Sequence, residues 1–273
     1  MNRNIFTRFL PLVLASLLLG TAAVAQHNGI SDDRPAPPPM PFRVGEKLVY
    51  DGKLSRIISV SIGELTFTVN NSPESEDLWI RAEARSKGTL ISLFRFSFRQ
   101  EIDSTVDRRD FFAQRTVKVD IQKDRVRNSE ANFDYSQRRV TYVETDPKEP
   151  MRPPRTIASE LEGETHDLIS GIYQLRMLPL EIGKEFEITV SDSGLVYRVP
   201  VKVTGRERIR TAIGRVWCLK VEPQVFGPGR MIEQEGGMTI WITDDRRRVP
   251  VRSSINTSFG RIDIRIKSAE NLL

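Results

Sequence analysis

Residues 116–122, TVKVDIQ, alternate strictly between apolar and polar side chains. Successive side chains of a β-strand point to opposite faces, so this stretch predicts a strand with one buried and one solvated face. We place the polar residues Lys118, Asp120 and Gln122 on the solvated face. The same alternation recurs at 195–203 and 261–267. One-sided strands of this kind are typical of antiparallel sheets, and the chain is predicted to be mainly β.

One strand changes face along its length. Apolar residues occupy even positions from Ile58 to Ile62 and odd positions from Leu65 to Val69. A strand exchanges its faces only where an extra residue is inserted, so we place a β-bulge at residues 63–64. Bulges increase bend and twist. The prediction is therefore a curved antiparallel sheet, arranged as an open barrel or as a two-half sandwich-like fold.

Two segments interrupt the alternation and predict one or two short helices. Residues 167–178 place apolar side chains at helical spacing, with Thr165 as N-cap and Pro179 ending the run. Residues 88–94 form a shorter apolar segment with the same spacing. The proline-rich residues 147–164 predict an exposed loop.

The first residues read as an export signal. Arg3 and Arg8 introduce an apolar run at residues 9–19, and small residues follow up to Ala25. The run is shorter than the roughly 20 residues that a bilayer-spanning helix needs. We therefore expect residues 1–25 to be a signal peptide cleaved after Ala25. The product would be periplasmic or secreted, with no transmembrane span after cleavage.

The mature chain divides by composition. Residues 26–41 are rich in proline and predict an extended tether. Residues 42–273 predict a single β-rich domain with two halves, at about 42–146 and 178–270. The Pro-rich loop and the helix join these halves.

Two nine-residue segments, 40–48 and 178–186, agree in residue class at every position. Each places proline before the start of a predicted strand and glycine at the turn that leads into it. Duplication of a β half explains this agreement, and so does shared turn chemistry.

The residues that usually form catalytic sites are either missing or better explained by a structural role. His166 is the only histidine after the tether, and its polar neighbours are typical of a helix start. Cys218, the only cysteine, lies in a strand pattern that favours a core thiol. Asp244 and Asp245 fall where a hairpin turn is expected. We expect no metal, no cofactor and no enzymatic activity, with a carboxylate-based hydrolase kept as the alternative.

The charge does not point to nucleic acid. The net charge of +5 is a small excess of 41 basic over 36 acidic residues. Basic clusters such as residues 246–248 sit among acids in predicted turns, which favours solvated hairpin tips. We expect no nucleic-acid partner.

Several motifs occur in a characteristic order: VGEKLVYD (44–51), IGEL (62–65), DLISGIYQLR (167–176), LPLEIG (178–183) and WITDDRRRVPV (241–251). Together they resemble the bacterial family designated domain of unknown function 3108, over about residues 41–266. The resemblance implies an exported β-rich envelope protein and supplies no catalytic residues. The last hairpin is also similar to that of the periplasmic lipoprotein-sorting carriers, which hold acyl chains against a curved sheet.

The apolar helical segments are the candidate ligand-binding elements, because a helix over a curved sheet can cover an apolar ligand. The residues expected to line such a site are Leu90, Ile91, Phe94, Leu168, Ile172 and Leu175. The partner would be a lipid or lipoprotein-like component of the envelope. In the alternative, the helices plug the concavity, and the protein is an envelope scaffold that binds a protein partner through its sheet edges.

Overall fold

A computed structural model describes residues 39–56, 59–87 and 97–273 of the chain. Within these ranges the chain forms one sheet of fourteen strands and one helix, α1 (Leu168–Met177). The strands, in chain order, are β1 (Lys47–Ser55), β2 (Ser59–Asn71), β3 (Leu78–Ser86), β4 (Phe98–Val106), β5 (Ala113–Gln122), β6 (Arg125–Asp134), β7 (Arg139–Thr145), β8 (Arg155–Glu160), β9 (Glu185–Asp192), β10 (Leu195–Thr211), β11 (Gly214–Pro223), β12 (Gly236–Thr243), β13 (Pro250–Thr257) and β14 (Gly260–Glu270). The predicted mainly β fold is confirmed.

The sheet is antiparallel throughout and is not closed. Its order runs from β8 back to β1, continues at β14 and runs back to β9. The first and last strands, β1 and β14, therefore pair in the middle, while β8 and β9 form the two edges. The turn between β9 and β10 nevertheless touches side chains of β7 and β8, at the opposite edge. The sheet curves until its edges almost meet, which confirms the open-barrel form of the prediction.

The helix starts at a well-formed cap. Asp167 Oδ1 accepts hydrogen bonds from the amides of Ile169 (2.9 Å) and Ser170 (2.7 Å). The Ser170 hydroxyl accepts one from the Asp167 amide (2.9 Å), which completes a capping box. Thr165 was therefore the wrong N-cap, because the carboxylate two residues later reaches these amides. The helix ends shortly before Pro179, as predicted.

The helix fills the interior of the barrel. Ile169 and Tyr173 belong to a hydrophobic cluster built mainly from β1–β4, where the ring of Phe42 meets Tyr173 edge-on at 4.9 Å. Leu175 belongs to a second cluster, formed with the buried residues of β9–β12. Since α1 packs into both clusters, the apolar space under the sheet is occupied by the chain's own side chains.

A buried ion pair fixes the helix in place. Arg176 is 1% exposed, and its Nη1 and Nη2 lie 2.5 and 2.8 Å from the two carboxylate oxygens of Glu46. The carbonyls of Pro41, Arg247 and Arg248 accept the remaining hydrogen bonds at 3.0–3.1 Å. The start of β1, the helix and the β12–β13 turn therefore meet at one guanidinium. These are three of the segments on which the family resemblance rests.

The predicted face of β5 is wrong. Lys118, Asp120 and Gln122 are only 7%, 3% and 8% exposed, whereas the apolar residues between them are half-buried. Lys118 lies opposite Ile102 of β4 and Ser129 of β6, both buried. This polar face therefore looks into the barrel. Alternation predicts that a strand has two unlike faces, but it does not indicate which face is turned inward.

The predicted bulge is present, shifted by one residue. Gly52 pairs with Gly63, whereas its neighbour Lys53 pairs with Ser61. The inserted residue is therefore Ile62, directly before the expected pair of positions. The inserted residue lets the apolar side chains change from even to odd positions along β2, as the sequence pattern requires.

The predicted loop at 147–164 is wrong in part, and several other predictions lie beyond the described ranges. Residues 147–164 were expected to form a loop, but they contain the edge strand β8, preceded by turns. The signal peptide at 1–25, most of the tether and the predicted helix at 88–94 lie outside the described residues.

The two matching nine-residue segments share a conformation as well as a composition. Gly45 and Gly183 have φ angles of 89° and 87°, in the left-handed region that favours glycine. Their amides donate to Val69 and Val203, both at 2.8 Å. Each segment therefore leads into the first strand of a hairpin by the same turn, an arrangement that both duplication and shared turn chemistry explain.

Candidate binding site at the seam of the barrel

The seam is the line along which β7 and β8 meet the β9–β10 turn, residues 192–195. Ser193 and Gly194 have φ angles of 55° and 81°, as a two-residue type I′ hairpin turn requires. A Cβ added to Gly194 would lie 2.8 Å from the Cβ of Tyr142 and 3.0 Å from that of Ile157. Among the described residues, no backbone hydrogen bond joins β8 to β9 or β10. The seam is therefore held by side-chain contacts, which include an ion pair between Arg198 of β10 and Glu162, just after β8.

We expect Gly194→Ala to destabilise the protein more than Gly183→Ala. The two glycines have nearly equal positive φ angles, so each substitution costs about 1–2 kcal/mol in backbone strain. Only the new methyl group at Gly194 meets side chains, and overpacking adds about 1–3 kcal/mol. Urea unfolding of both variants measures the difference. Equal losses would show that the turn does not pack against β7 and β8.

A small cavity of about 30 Å³ lies beneath this turn, with room for one or two water molecules. Its apolar wall comes from Ile102, Ala131, Phe133 and Leu168. Its polar residues are Thr116, Lys118, Ser129, Tyr142, Asp167, Ser191, Asp192 and Ser193. The site is therefore amphipathic, and β4–β7, the start of α1 and the β9–β10 hairpin all contribute to it.

Lys118 is the most unusual member of the site. It is 7% exposed, and its ammonium forms neither a hydrogen bond nor an ion pair with the residues that the structure describes. Burial lowers its pKa to about 8, against the opposing effect of the nearby Asp192, Asp120 and Glu144 carboxylates. The last two are engaged elsewhere, since Asp120 binds Arg125 and Glu144 faces Arg127. Lys118 is thus a buried cation bordering an unfilled space.

The opposite side of the cavity carries Ser191 and Asp192. The Ser191 hydroxyl is buried and has no hydrogen-bond partner among the described residues. Burial raises the pKa of Asp192 to about 6, although Lys118 and a 3.1 Å hydrogen bond from Ser193 act in the other direction. Asp167 is already engaged, because it caps α1 and accepts a hydrogen bond from Thr116 at 2.5 Å. The groups left for a ligand are Lys118 and the hydroxyl of Ser191.

The residues considered for catalysis occupy structural positions. His166 is buried, and burial lowers its pKa to about 4, so its ring is neutral at pH 7. Burial raises the pKa of Cys218 to about 12, which leaves a thiol and no nucleophilic thiolate. Asp244 and Asp245 form the predicted turn and bind arginines. Among the described residues, no three histidine, cysteine or acidic side chains are grouped to hold a metal ion.

The predicted lining residues are distributed over three places. Leu168 lines the seam cavity. Ile172 packs against the cluster of β1–β4, and Leu175 is buried in the cluster of β9–β12. Leu90, Ile91 and Phe94 lie outside the described residues.

Sequence reasoning missed the polar residues of the site. Lys118 was assigned to solvent because charged residues alternate with apolar ones on most exposed strand faces. No local signal marks Lys118 as buried, because its flanking valines are no more apolar than many valines that face outward. Asp192 and Ser193 precede Gly194 in what reads as an ordinary turn, and only closure of the barrel brings that turn to β5.

The comparisons with known proteins agree with this architecture. A family model described as a protein of unknown function, DUF3108, matches residues 49–267. The crystal structure of a beta-barrel-like protein of domain of unknown function DUF1849 from Brucella abortus superposes with a TM-score of 0.57 at 12% identity. The alignment covers 85% of this chain and 100% of that chain, which shows a shared fold.

A protein with a YmcC-like fold from Bacteroides fragilis aligns at 10% identity with a TM-score of 0.34, covering 85% of this chain and 98% of that chain. No curated protein matches the sequence. At ten residues α1 cannot cross a bilayer, and the described part of the chain has no other helix long and apolar enough to do so.

Proposed function

The chain belongs to the DUF3108 family of proteins of unknown function, and we propose that this member is an exported, non-enzymatic protein that binds a small amphipathic molecule with an anionic end. The anionic group would lie beside Lys118 in the seam cavity, and the apolar part would leave along the seam. The observation that carries this proposal is the buried side chain of Lys118 next to an apolar wall, with an ammonium that forms no hydrogen bond or ion pair with a described residue.

The energetic cost of Lys118 supports a binding role. A buried charge without a partner is strongly unfavourable, and proteins normally pair it or hydrogen-bond it. Perturbed ionisable groups that line a cavity are therefore candidates for functional sites. A carboxylate or phosphate would supply the missing acceptor for Lys118 and accept a hydrogen bond from Ser191.

The location of the cavity supports access along the seam. Helix α1 occupies the main apolar space and is fixed by Arg176, so the ligand's chain cannot replace it without breaking a buried ion pair. Parting β8 from the β9–β10 turn breaks side-chain contacts but no backbone hydrogen bond among the described residues. The apolar chain of the ligand would then extend outward from the cavity wall, which includes Leu168 and Phe133.

Melting temperatures with a matched series of amphiphiles test the proposal. The mature protein is mixed with dodecyl phosphate, laurate, dodecyl maltoside or dodecyltrimethylammonium, each below its micellar concentration. We expect the two anionic compounds to raise the melting temperature by about 5 °C at saturating excess. No shift with any compound contradicts the proposal, and equal shifts with all four contradict the role of Lys118. Native mass spectrometry provides the stoichiometry.

Export is supported by the predicted signal at residues 1–25. Sequencing the N-terminus of the protein recovered from its own cells should give Gln26 as the first residue. Recovery of Met1 would contradict export by cleavage.

The filled concavity favours a second candidate, an envelope scaffold. The edge of β8 carries no partner strand among the described residues, so an extended segment of another protein could pair with it. Cross-linking in intact cells distinguishes the two candidates. A stoichiometric protein partner together with no amphiphile binding supports the scaffold.

A further inference from the structure

The end of the β10–β11 hairpin forms a two-stranded ribbon, residues 205–217. Strand β9 pairs with β10 only as far as Lys202, and β12 pairs with β11 only from Cys218 onward. Between these points the two strands pair with each other alone. The ribbon therefore extends beyond the neighbouring strands, and no described strand pairs with its two edges.

The inner face of the ribbon is anchored to the barrel. Ile209, Ile213 and Val216 pack against the large hydrophobic cluster. Glu207 accepts a hydrogen bond from the indole Nε1 of Trp241, whose ring is buried. The ribbon is thus held against the body of the protein, so the orientation of its outer face is fixed.

The outer face is basic and aromatic. Its exposed residues are Arg206, Arg208, Arg210, Arg215 and Trp217. Arg208 lies opposite Trp217 and Arg210 opposite Arg215, so these side chains are direct neighbours across the ribbon. Trp217 is 45% exposed, and the guanidinium of Arg206 stacks 4.4 Å from its ring centre.

The positive charge of this face is compensated only at Arg206 among the residues that the structure describes. Arg206 binds Asp244 at 2.7 Å, but Arg208, Arg210 and Arg215 form no ion pair with the residues that the structure describes. Arginines directly opposite each other on paired strands repel. The whole chain carries only a small net positive charge, so the cluster is a local feature.

We propose that the outer face of the ribbon docks onto the surface of an anionic phospholipid membrane. Guanidinium groups bind phosphate in a bidentate manner, and tryptophan favours the level of the lipid headgroups. An exposed strand face suits an extended surface. A half-exposed indole beside three arginines that form no ion pair with the described residues meets both the apolar and the anionic part of such a surface. This inference is independent of the seam cavity.

Vesicle sedimentation of the mature protein tests this inference. Phosphatidylcholine vesicles are compared with vesicles that also contain about 30 mol% phosphatidylglycerol, at low and at physiological salt. We expect binding only to the anionic vesicles, weakened by salt. The variant Arg208→Glu/Arg210→Glu/Arg215→Glu should lose at least about 30-fold in the partition coefficient.

The matched control is Lys53→Glu/Arg139→Glu/Arg265→Glu, which changes the net charge equally at exposed positions outside the ribbon. It should bind within about threefold of the parent. Brominated lipids should quench the fluorescence of the parent but not of Trp217→Phe, because Trp79 and Trp241 are more buried. Equal losses in the two triple variants, no preference for anionic vesicles, or binding to nucleic acid or an acidic protein without binding to vesicles would each overturn the inference. Circular dichroism confirms folding of every variant.

Discussion

Replacing Arg176 by methionine is expected to lower the free energy of unfolding by about 3–5 kcal/mol. Glu46 is 0% exposed, and both its carboxylate oxygens bind the guanidinium. Without Arg176 it becomes a buried charge with no cation beside it. Three backbone carbonyls lose their hydrogen bonds from Arg176 at the same time. Urea unfolding followed by circular dichroism measures the loss.

Two further variants locate the origin of this loss. Glu46→Leu/Arg176→Met removes both charges and should recover part of the stability, since a carboxylate no longer stays buried alone. Lys202→Met removes the basic partner of Glu185 from an exposed ion pair at 2.7 Å, and should cost less than about 1 kcal/mol. A loss for Arg176→Met no larger than that for Lys202→Met would contradict the structural role assigned to Arg176.

The parts of the fold that could be predicted from sequence are those set by local chemistry. Alternation gave the strands, because side-chain direction along a strand depends only on the backbone. The helix and its end before Pro179 followed from apolar spacing and from the steric demands of proline. The turn at Asp244 and Asp245 followed from the preference of aspartate for turns.

The parts that could not be predicted depend on closure of the barrel. In most strands the apolar face is the inner one, as at Val199, Val201 and Val203. In β5 the inner face is polar, because the space it faces is already lined by the helix cap at Asp167 and by the β9–β10 turn. Lys118 of β5 and Asp192 of β9 lie far apart along the strand order and are brought together by the curvature of the sheet, which no local pattern encodes. The candidate site was therefore predicted only at Leu168.

The double variant Lys118→Met/Asp192→Asn is expected to be more stable than the parent by about 1–4 kcal/mol and to bind no anionic amphiphile. Lys118 pays the desolvation cost of burial without an ion-pair contact among the described residues. Neutral side chains of similar size remove that cost, and replacing buried charges in this way often stabilises proteins. A gain in stability combined with a loss of binding is the result expected of a binding residue.

The dependence of this gain on pH follows from the two pKa values. Between pH 8 and 10.5 the unfolded chain holds a proton on Lys118 that the folded protein has lost, so the parent becomes more stable as pH rises. Between pH 3.8 and 6 the folded protein holds a proton on Asp192 that the unfolded chain has lost, so the parent becomes less stable as pH rises. The advantage of the double variant should therefore be largest between about pH 6 and 8.

Urea unfolding across this pH range, together with melting temperatures in dodecyl phosphate, measures both effects. The matched control is Lys202→Met/Glu185→Gln, which removes an exposed lysine–carboxylate pair. Its stability should stay within about 1 kcal/mol of the parent at every pH, and it should retain binding. If the Lys118→Met/Asp192→Asn variant still binds dodecyl phosphate as the parent does, Lys118 is not the anion site. If its advantage does not depend on pH, the two groups do not titrate as their burial requires.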